Sequence, residues 1–390
     1  MLVEAFNSAR PVTSTAQSGC NLTRLQVYHG YNLFWFRLTV ILLVTDLVEL
    51  FIYFGRSRLQ VRTGESFGDL CGLEHATEES INDRMILGNN VTSIILLGFS
   101  DLQSFPILFF SLFVLIYCGT ITGNLLILVF FLASKSLQSP MYLFITQLSL
   151  CDILVTTDIL PTLLHTVLYG GGSVSFIGCI LQFCIFALSE CSECLLLSLM
   201  SYDRYLAICH PLHYHSVMNH VFCVTSVVVI WLIGMMVMLI DVISILSFHF
   251  CGRNVIDHFY CDLEPLVQLF CSDTSIIHEQ ILIIGILVLM VPFIVIVLSY
   301  VYIAITILKI PSITGRQKAF TTCSSHLTVV SIFYGTLIIS YMFPTKGRSL
   351  ILNKFLSLMY TMVTPLLNPI VYTLRNKDFK EAFRKMKLGL

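Results

Sequence analysis

Seven long apolar runs dominate this chain and restrict the architectures that it can adopt. They cover residues 107–132, 141–164, 176–208, 221–245, 276–308, 318–342 and 351–374. A helix of about 20 apolar residues crosses the roughly 30 Å hydrocarbon layer of a bilayer. Backbone groups in lipid must also hydrogen-bond within their own segment. We therefore predict an all-α membrane protein, a bundle of seven transmembrane helices over residues 106–376, numbered here as spans one to seven.

The composition argues against a soluble enzyme. Apolar residues make up 56% of the chain and charged residues only 12%, whereas soluble domains are nearer a quarter charged. The sequence contains neither a phosphate-binding glycine-rich loop nor a zinc-binding His-Glu-x-x-His motif. We therefore expect no enzyme activity, no nucleic-acid partner and no cofactor other than a Na⁺ ion, which is considered below.

The basic residues orient these helices in the membrane, because Lys and Arg collect on the cytoplasmic side. The side that carries the C-terminal tail has eleven Lys and Arg, and the opposite side has four, which are Arg253, Lys346, Arg348 and Lys354. We therefore predict an extracellular N-terminus and a cytoplasmic C-terminus. The sequon at Asn90 then lies outside the cell, where it would be glycosylated.

The first 84 residues differ from the rest of the chain. They contain seven Arg and no Lys, and their apolar stretch Leu38–Phe54 is interrupted by Asp46 and Glu49. An eighth span there would place the arginines that follow it outside, against the charge rule. We expect residues 1–84 to be a poorly ordered extension or not part of the natural protein. Residues 85–105 are then the extracellular N-terminus, and residues 377–390 are the cytoplasmic tail.

Four cysteines belong to the outer face. Cys179 lies at the outer end of span three, and Cys251, Cys261 and Cys271 lie in the loop between spans four and five. An even set of cysteines in an oxidising environment pairs into disulfides. The spacing leaves all three pairings open. A zinc site is the alternative, although the loop lacks the usual Cys-x-x-Cys pairs.

Four polar residues fall in the middle of four different spans, and they are Asn124, Asp152, Glu193 and Asn368. Lipid offers these groups no partners, so they must meet each other or water. Two carboxyl groups in a low dielectric do not both stay charged without a cation. We predict a cluster that holds a proton, water or Na⁺ and rearranges on activation. The alternative is a structural cluster that only fixes how the helices pack.

The inner ends of the spans carry residues typical of a switch. Span three ends in Asp203-Arg204-Tyr205, where the aspartate can neutralise the arginine in one state and release it in another. A plain ion pair at a helix end is the alternative. In span seven, Pro369 kinks the helix between Asn368 and Tyr372. We place Tyr300, Lys318 and His326 on the same inner half, and Lys318 can equally be a membrane anchor.

The outer half of the bundle is the predicted ligand pocket. Residues spaced three or four apart on a helix share one face. One such stripe on span three, with counterparts on spans five and six, is mostly apolar and suits a small organic molecule. Its residues are Phe183, Phe186, Ala187, Glu190, Ile284, Gly285, Val288, Tyr334, Ile338 and Tyr341. For each of these side chains, ordinary core packing is the alternative.

Six motifs carry a resemblance to a known family. They are Gly123-Asn124, LQSPMYLFITQLSLCD at 137–152, MSYDRYLAICHPLHY at 200–214, Ser299-Tyr300, KAFTTCSSHLTVV at 318–330 and PLLNPIVYTLRNK at 365–377. All six occur in order and at the matching span ends. Over residues 85–387 the chain resembles an olfactory receptor of the rhodopsin-like G-protein-coupled receptor class.

The resemblance implies disulfides Cys179–Cys261 and Cys251–Cys271, and it makes the inner-half residues above a switch for a heterotrimeric G protein. It implies a receptor of the plasma membrane in which a small-molecule odorant stimulates the G protein and raises cAMP. A non-olfactory receptor of the same class is one alternative, although Phe186 stands where amine receptors carry aspartate. An ion-coupled transporter is the other. The basic tail predicts a short amphipathic helix on the membrane lipid of the inner leaflet.

Overall fold

The computed structural model describes residues 92–99, 105–134, 137–250, 254–343, 349–374 and Phe379, without the side chains of residues 318, 321, 322, 373 and 374. The chain divides into two units, and all described residues lie in the second, Leu50–Leu390; the first is Met1–Glu49. The predictions for residues 1–84, for the sequon at Asn90 and for the amphipathic tail helix beyond Phe379 therefore fall outside the described residues.

The described part of the chain contains seven helices that are long and apolar enough to cross a membrane. This finding confirms the predicted bundle. Each agrees with a predicted span to within a few residues. They are α1 Pro106–Ala133, α2 Pro140–Tyr169, α3 Phe176–Cys209, α4 His220–Ser247, α5 Ser275–Leu308, α6 Ile313–Met342 and α7, which comprises Leu350–Leu358, Met359–Val363 and Thr364–Leu374.

Local sequence explains several helix ends. Pro106 and Pro140 begin α1 and α2, since a proline in the first turn sacrifices no hydrogen bond. The Ser175 hydroxyl accepts a hydrogen bond from the Gly178 amide at the start of α3. Gly170 ends α2 with a φ of 73°, a left-handed conformation that glycine adopts without strain.

Two helices contain a π-helical turn, and each turn lies just before a proline. The turn in α5 covers Ile286–Met290 and precedes Pro292, and the turn in α7 covers Met359–Val363 and precedes Pro365. Proline has no amide hydrogen to donate to the preceding turn. A π-turn, with its longer hydrogen-bonded ring, is a common response to such an interruption and is frequent at functional sites.

Helix α3 is the centre of the bundle. It packs against α2, α4 and α5, and its middle section from Ser189 to Asp203 is buried. Helices α1, α4 and α5 instead expose large apolar side chains such as Leu115, Leu232 and Leu298. A soluble protein would leave these faces in water, whereas lipid solvates them at no cost. The bundle is therefore a multi-pass membrane structure.

A three-stranded sheet joins three segments at the outer end of the bundle, and the sequence analysis did not predict it. Strand β1, Ser93–Leu96, pairs antiparallel with β2, Gly172–Ser175, and parallel with β3, Val255–Ile256. Strands of two to four residues are too short to show an alternating pattern. Ile94 and Leu96 lie on one face of the sheet and pack in an apolar core with Phe183 of α3.

Candidate functional site

A cavity of about 140 Å³ lies in the outer half of the bundle between α3, α4, α5, α6 and the loop before α5, and we call it the ligand cavity. Eight of the ten residues predicted for the ligand pocket line it. They are Phe183, Phe186, Ala187, Glu190, Ile284, Gly285, Val288 and Tyr341. The helical stripe on α3 and its counterpart on α5 thus face the same space.

Two predicted pocket residues, Tyr334 and Ile338, do not line the ligand cavity, and Leu337 does so in their place. Tyr334 is fully buried, and its hydroxyl donates a 2.7 Å hydrogen bond to the carbonyl oxygen of Cys194. This bond turns the ring toward α3. A periodic pattern defines a face of a helix but not how far the helix is rotated in the bundle, and the cavity face of α6 contains Leu337 and Tyr341 but neither Tyr334 nor Ile338.

This correction gives a prediction. Leu337→Ala should weaken the potency of a cavity ligand about tenfold or more, because a buried leucine side chain contributes roughly 1.5–3 kcal/mol of apolar contact. Ile338→Ala, one residue away, should change the potency less than about threefold, well under 1 kcal/mol. Concentration–response curves normalised to surface receptor measure both. The opposite ranking of the two variants would restore the predicted face of α6.

Three carboxyl groups line the ligand cavity, although the sequence analysis predicted only Glu190. Asp241 of α4 accepts a 2.8 Å hydrogen bond from the Gln280 side chain on α5. Gln280 in turn accepts one from the Ser244 hydroxyl. An acidic residue within an apolar span is expensive and therefore a functional candidate, and this signal could have identified Asp241.

Asp262 lies in the loop before α5, where it closes the ligand cavity toward the outside. Its carboxylate accepts hydrogen bonds from the Leu263 amide at 2.7 Å, from the Tyr341 hydroxyl at 3.0 Å and from the Tyr260 hydroxyl at 3.3 Å. Burial raises the pKa of Asp262 to about 6, partly offset by these bonds. Asp262 and Tyr341 also line a more polar cavity of about 300 Å³ on the outer side.

A disulfide between Cys179 and Cys261 ties this loop to α3, as the resemblance implied. The Cys261 amide also donates a 2.9 Å hydrogen bond to the Gln182 side chain, one turn along α3. The loop is therefore fixed above the ligand cavity at two points. Cys271 is disulfide-bonded as well, whereas Cys251, its predicted partner, lies outside the described residues.

Lys354 holds the outer end of α7, a role that the sequence analysis missed. The lysine is 5% exposed, pairs with the Asp257 carboxylate and donates a 2.7 Å hydrogen bond to the Gly98 carbonyl oxygen. Burial, with the nearby Lys354 ammonium group, lowers the pKa of His258 to about 3, so this histidine is neutral at physiological pH. A lone lysine in an apolar run was the available signal.

The four mid-span polar residues approach one another in the middle of the bundle. The Asn368 side chain donates to both Asp152 carboxylate oxygens, at 2.9 and 3.1 Å, and to Glu193 at 3.5 Å. Asn124 lies close enough to Asp152 to interact with it, and it also donates to the backbone carbonyl of Pro365 at 3.2 Å, which joins α1 to α7. Asp152, Glu193 and Asn368 are called the polar cluster below.

The ion pair at the inner end of α3 is closed. Arg204 donates to Asp203 at 3.0 Å through Nε, and the same carboxylate accepts a 2.7 Å hydrogen bond from the Tyr214 hydroxyl. Asp203 is fully buried, and the Arg204 side chain is 17% exposed. The Tyr205 hydroxyl pairs with His210 at 3.0 Å.

The other predicted switch residues make contacts of their own on α5, α6 and α7. The Tyr300 hydroxyl hydrogen-bonds His326 Nδ1 at 2.7 Å, which links α5 to α6. The Tyr372 side chain is buried, and the Lys318 side chain lies outside the described residues. Pro369 packs so closely on Gly123 that a Cβ atom at that glycine would come within 2.8 Å of its ring.

Known proteins are similar to this chain over most of its length. A family model described as olfactory receptor matches residues 113–389. Olfactory receptors 11L1 and 11A1 of Homo sapiens are both 45% identical to the chain over 76% of its length, which covers 92% and 94% of the relatives. Olfactory receptor 10A3 of Homo sapiens is 42% identical over 76% of the chain and 94% of the relative. The chain therefore belongs to the olfactory receptor family and is an odorant-binding G-protein-coupled receptor of the rhodopsin-like class.

Proposed function

We propose that a small, mostly apolar odorant binds in the ligand cavity and activates a stimulatory G protein that raises cAMP. The observation that carries this proposal is the continuity of α3. The same unbroken helix lines the ligand cavity at Glu190 and carries the Asp203–Arg204 ion pair thirteen residues later, which is about 20 Å along its axis. A displacement of α3 at the cavity is therefore transmitted to the ion pair.

Activation in this proposal breaks two contacts at the inner end. Arg204 leaves Asp203, which keeps the Tyr214 hydroxyl as a donor. The Tyr300–His326 hydrogen bond opens as α6 moves away from α5. Both changes expose polar groups toward the cytoplasmic side, where a G protein would bind them. Lys318 at the start of the predicted sixth span belongs to the same surface in this proposal.

The polar cluster supports a role in the same transition. Asp152 and Glu193 are buried and share the donor Asn368, and the Asn368 side-chain oxygen makes no hydrogen bond to any protein group in the described part of the chain. Oxygen ligands with excess negative charge suit a small cation such as Na⁺, and a shared proton or water is the alternative. We propose that the occupant holds α2, α3 and α7 together in the resting state and leaves on activation.

The membrane orientation is part of the proposal. Lys and Arg collect at the ends of the spans beside the Asp203–Arg204 pair and in the tail. The tail then lies on the inner leaflet, and Asn90 lies outside the cell and carries a glycan. An antibody against the tail should bind permeabilised cells only, and enzymatic removal of N-glycans should increase the mobility of the receptor on a gel.

The decisive experiment is an odorant panel on cells that express the full chain or residues 85–390, read as cAMP. We expect a subset of small apolar odorants to raise cAMP equally with both chains, since every described cavity and switch residue follows Asn90. The panel is repeated with choline in place of sodium, and a change in basal cAMP that Asp152→Asn removes supports the ion. Uptake of a panel compound without cAMP would favour an ion-coupled transporter instead.

A further inference from the structure

Glu190 stands apart from the other carboxyl groups of the ligand cavity. It is only 8% exposed, and it lines the cavity. Among the residues that the structure describes, none donates a hydrogen bond to either of its carboxyl oxygens. Asp241 accepts a hydrogen bond from the Gln280 amide, and Asp262 accepts hydrogen bonds from a backbone amide and two tyrosine hydroxyls. The described part of the bundle thus contains one buried acid that faces the cavity without a donor.

A buried carboxyl group without a donor costs free energy, so it marks a place where a ligand can contribute the missing partner. The charge that this ligand group should carry follows from the residues that line the cavity. Glu190, Asp241 and Asp262 all line the cavity, and no Lys, Arg or His is among its described lining residues. Acidic groups that face one apolar space favour a cation there, and a desolvated cation gains more from them than it would in water.

The size of the cavity limits the rest of the ligand. A cavity of about 150 Å³ accommodates benzene, and the ligand cavity is about 140 Å³. Phe183, Phe186, Val288 and Leu337 supply aromatic and aliphatic walls around Glu190. Glu190 lies four residues, or one helical turn, deeper on α3 than Phe186. If the ammonium group of a ligand contacts the Glu190 carboxyl group, the apolar part of the ligand therefore lies beside Phe183 and Phe186.

We infer that this receptor recognises small primary amines, whose ammonium group binds Glu190 and whose apolar body fills the ligand cavity. The inference rests on the proposed function and narrows its ligand class. An acidic residue in the cavity is not sufficient for this inference. Asp241 and Asp262 are also acidic, but both already accept hydrogen bonds from protein donors. Glu190 is therefore the specificity-determining residue, and it should separate amines from neutral molecules of the same shape.

The test uses matched ligands on cells that express the full chain. The amines are pentylamine, cyclohexylamine, benzylamine and 2-phenylethylamine, and each is paired with the alcohol and the hydrocarbon of the same skeleton. At least one amine should be about tenfold or more potent than its alcohol. Glu190→Gln should weaken that amine about 10- to 150-fold, the usual effect of losing a hydrogen bond to a charged group. It should change the alcohol's potency by less than about threefold.

Two further variants separate recognition from a structural role. Glu190→Asp keeps the charge and should retain most of the preference for amines. Glu190→Lys should reverse the preference, so that hexanoate or phenylacetate becomes more potent than pentylamine or benzylamine, the amines of the same skeleton. Surface receptor is measured for each variant. A Glu190→Gln shift that is equal for amine, alcohol and hydrocarbon would overturn the inference, because it would indicate altered packing only.

Direct binding distinguishes this inference from the proposed function. Membranes that contain the receptor are titrated with radiolabelled amine, and the same amines are tested for cAMP. Binding that depends on Glu190 without a cAMP response supports the inference and contradicts the proposed coupling. A cAMP response to alcohols or hydrocarbons but to none of the amines contradicts the inference and supports the coupling. Absence of Glu190-dependent binding for every amine also overturns the inference.

Discussion

Arg204→Ala should abolish odorant-evoked cAMP while leaving the amount of receptor at the cell surface nearly unchanged. Arg204 is held by Asp203 in the structure, and the proposal gives it a new partner on the G protein in the active state. Folding should survive because the Asp203 carboxylate keeps its 2.7 Å hydrogen bond from the Tyr214 hydroxyl. The measurement is cAMP accumulation at saturating odorant, with surface receptor quantified by an extracellular epitope.

The matched control is Asp203→Asn, which frees Arg204 instead of removing it. If the ion pair holds the resting state, this variant should raise cAMP without odorant, in the direction opposite to Arg204→Ala. A structural ion pair would make both variants fold poorly and neither signal without ligand. Normal signalling by Arg204→Ala would refute the assignment of the switch.

Replacement of either Cys179 or Cys261 by serine should remove most of the receptor from the cell surface. The disulfide joins residues 82 positions apart and fixes the loop above the ligand cavity to α3. Loss of a native disulfide commonly costs about 2–4 kcal/mol, a large fraction of the stability of most domains. Surface and total receptor are compared by flow cytometry and by immunoblot.

Two control variants test whether the loss of surface receptor is due to loss of the Cys179–Cys261 disulfide. Cys118→Ser changes an exposed free cysteine of α1 and should leave surface receptor at the normal level. The double variant Cys179→Ser/Cys261→Ser should be no worse than either single variant, because both lose the same bond. Normal surface levels of one single variant, or peptide mapping that joins Cys179 to a different cysteine, would contradict the assignment.

Much of this molecule could be predicted from the sequence, because lipid imposes simple rules. The seven spans follow from length and apolarity alone, and the shared face of Phe183, Phe186 and Glu190 follows from helical periodicity. Asp152, Glu193 and Asn368 were predicted to meet because buried polar groups in lipid have no other partners.

The remaining features depend on contacts between segments that are distant in the chain. The Tyr334 side chain of α6 is oriented by a hydrogen bond to the carbonyl oxygen of Cys194, 140 residues away. The outer sheet depends on three strands that have no pattern of their own. Lys354 was counted as an outer charge, yet its partners Gly98 and Asp257 are 256 and 97 residues away. No local pattern in the sequence could have specified these pairs.

A change of winding at the π-turns in α5 and α7 would rotate one part of each helix relative to the other part. A π-turn contains one residue more than an α-turn, and one residue corresponds to a rotation of about 100° in an α-helix. If the turn at Ile286–Met290 tightened to an α-turn, the segment beyond Pro292 would rotate by that amount relative to the segment before it. That distal segment carries Tyr300, so a change of winding beside Gly285 and Val288, which line the ligand cavity, would rotate this distant tyrosine.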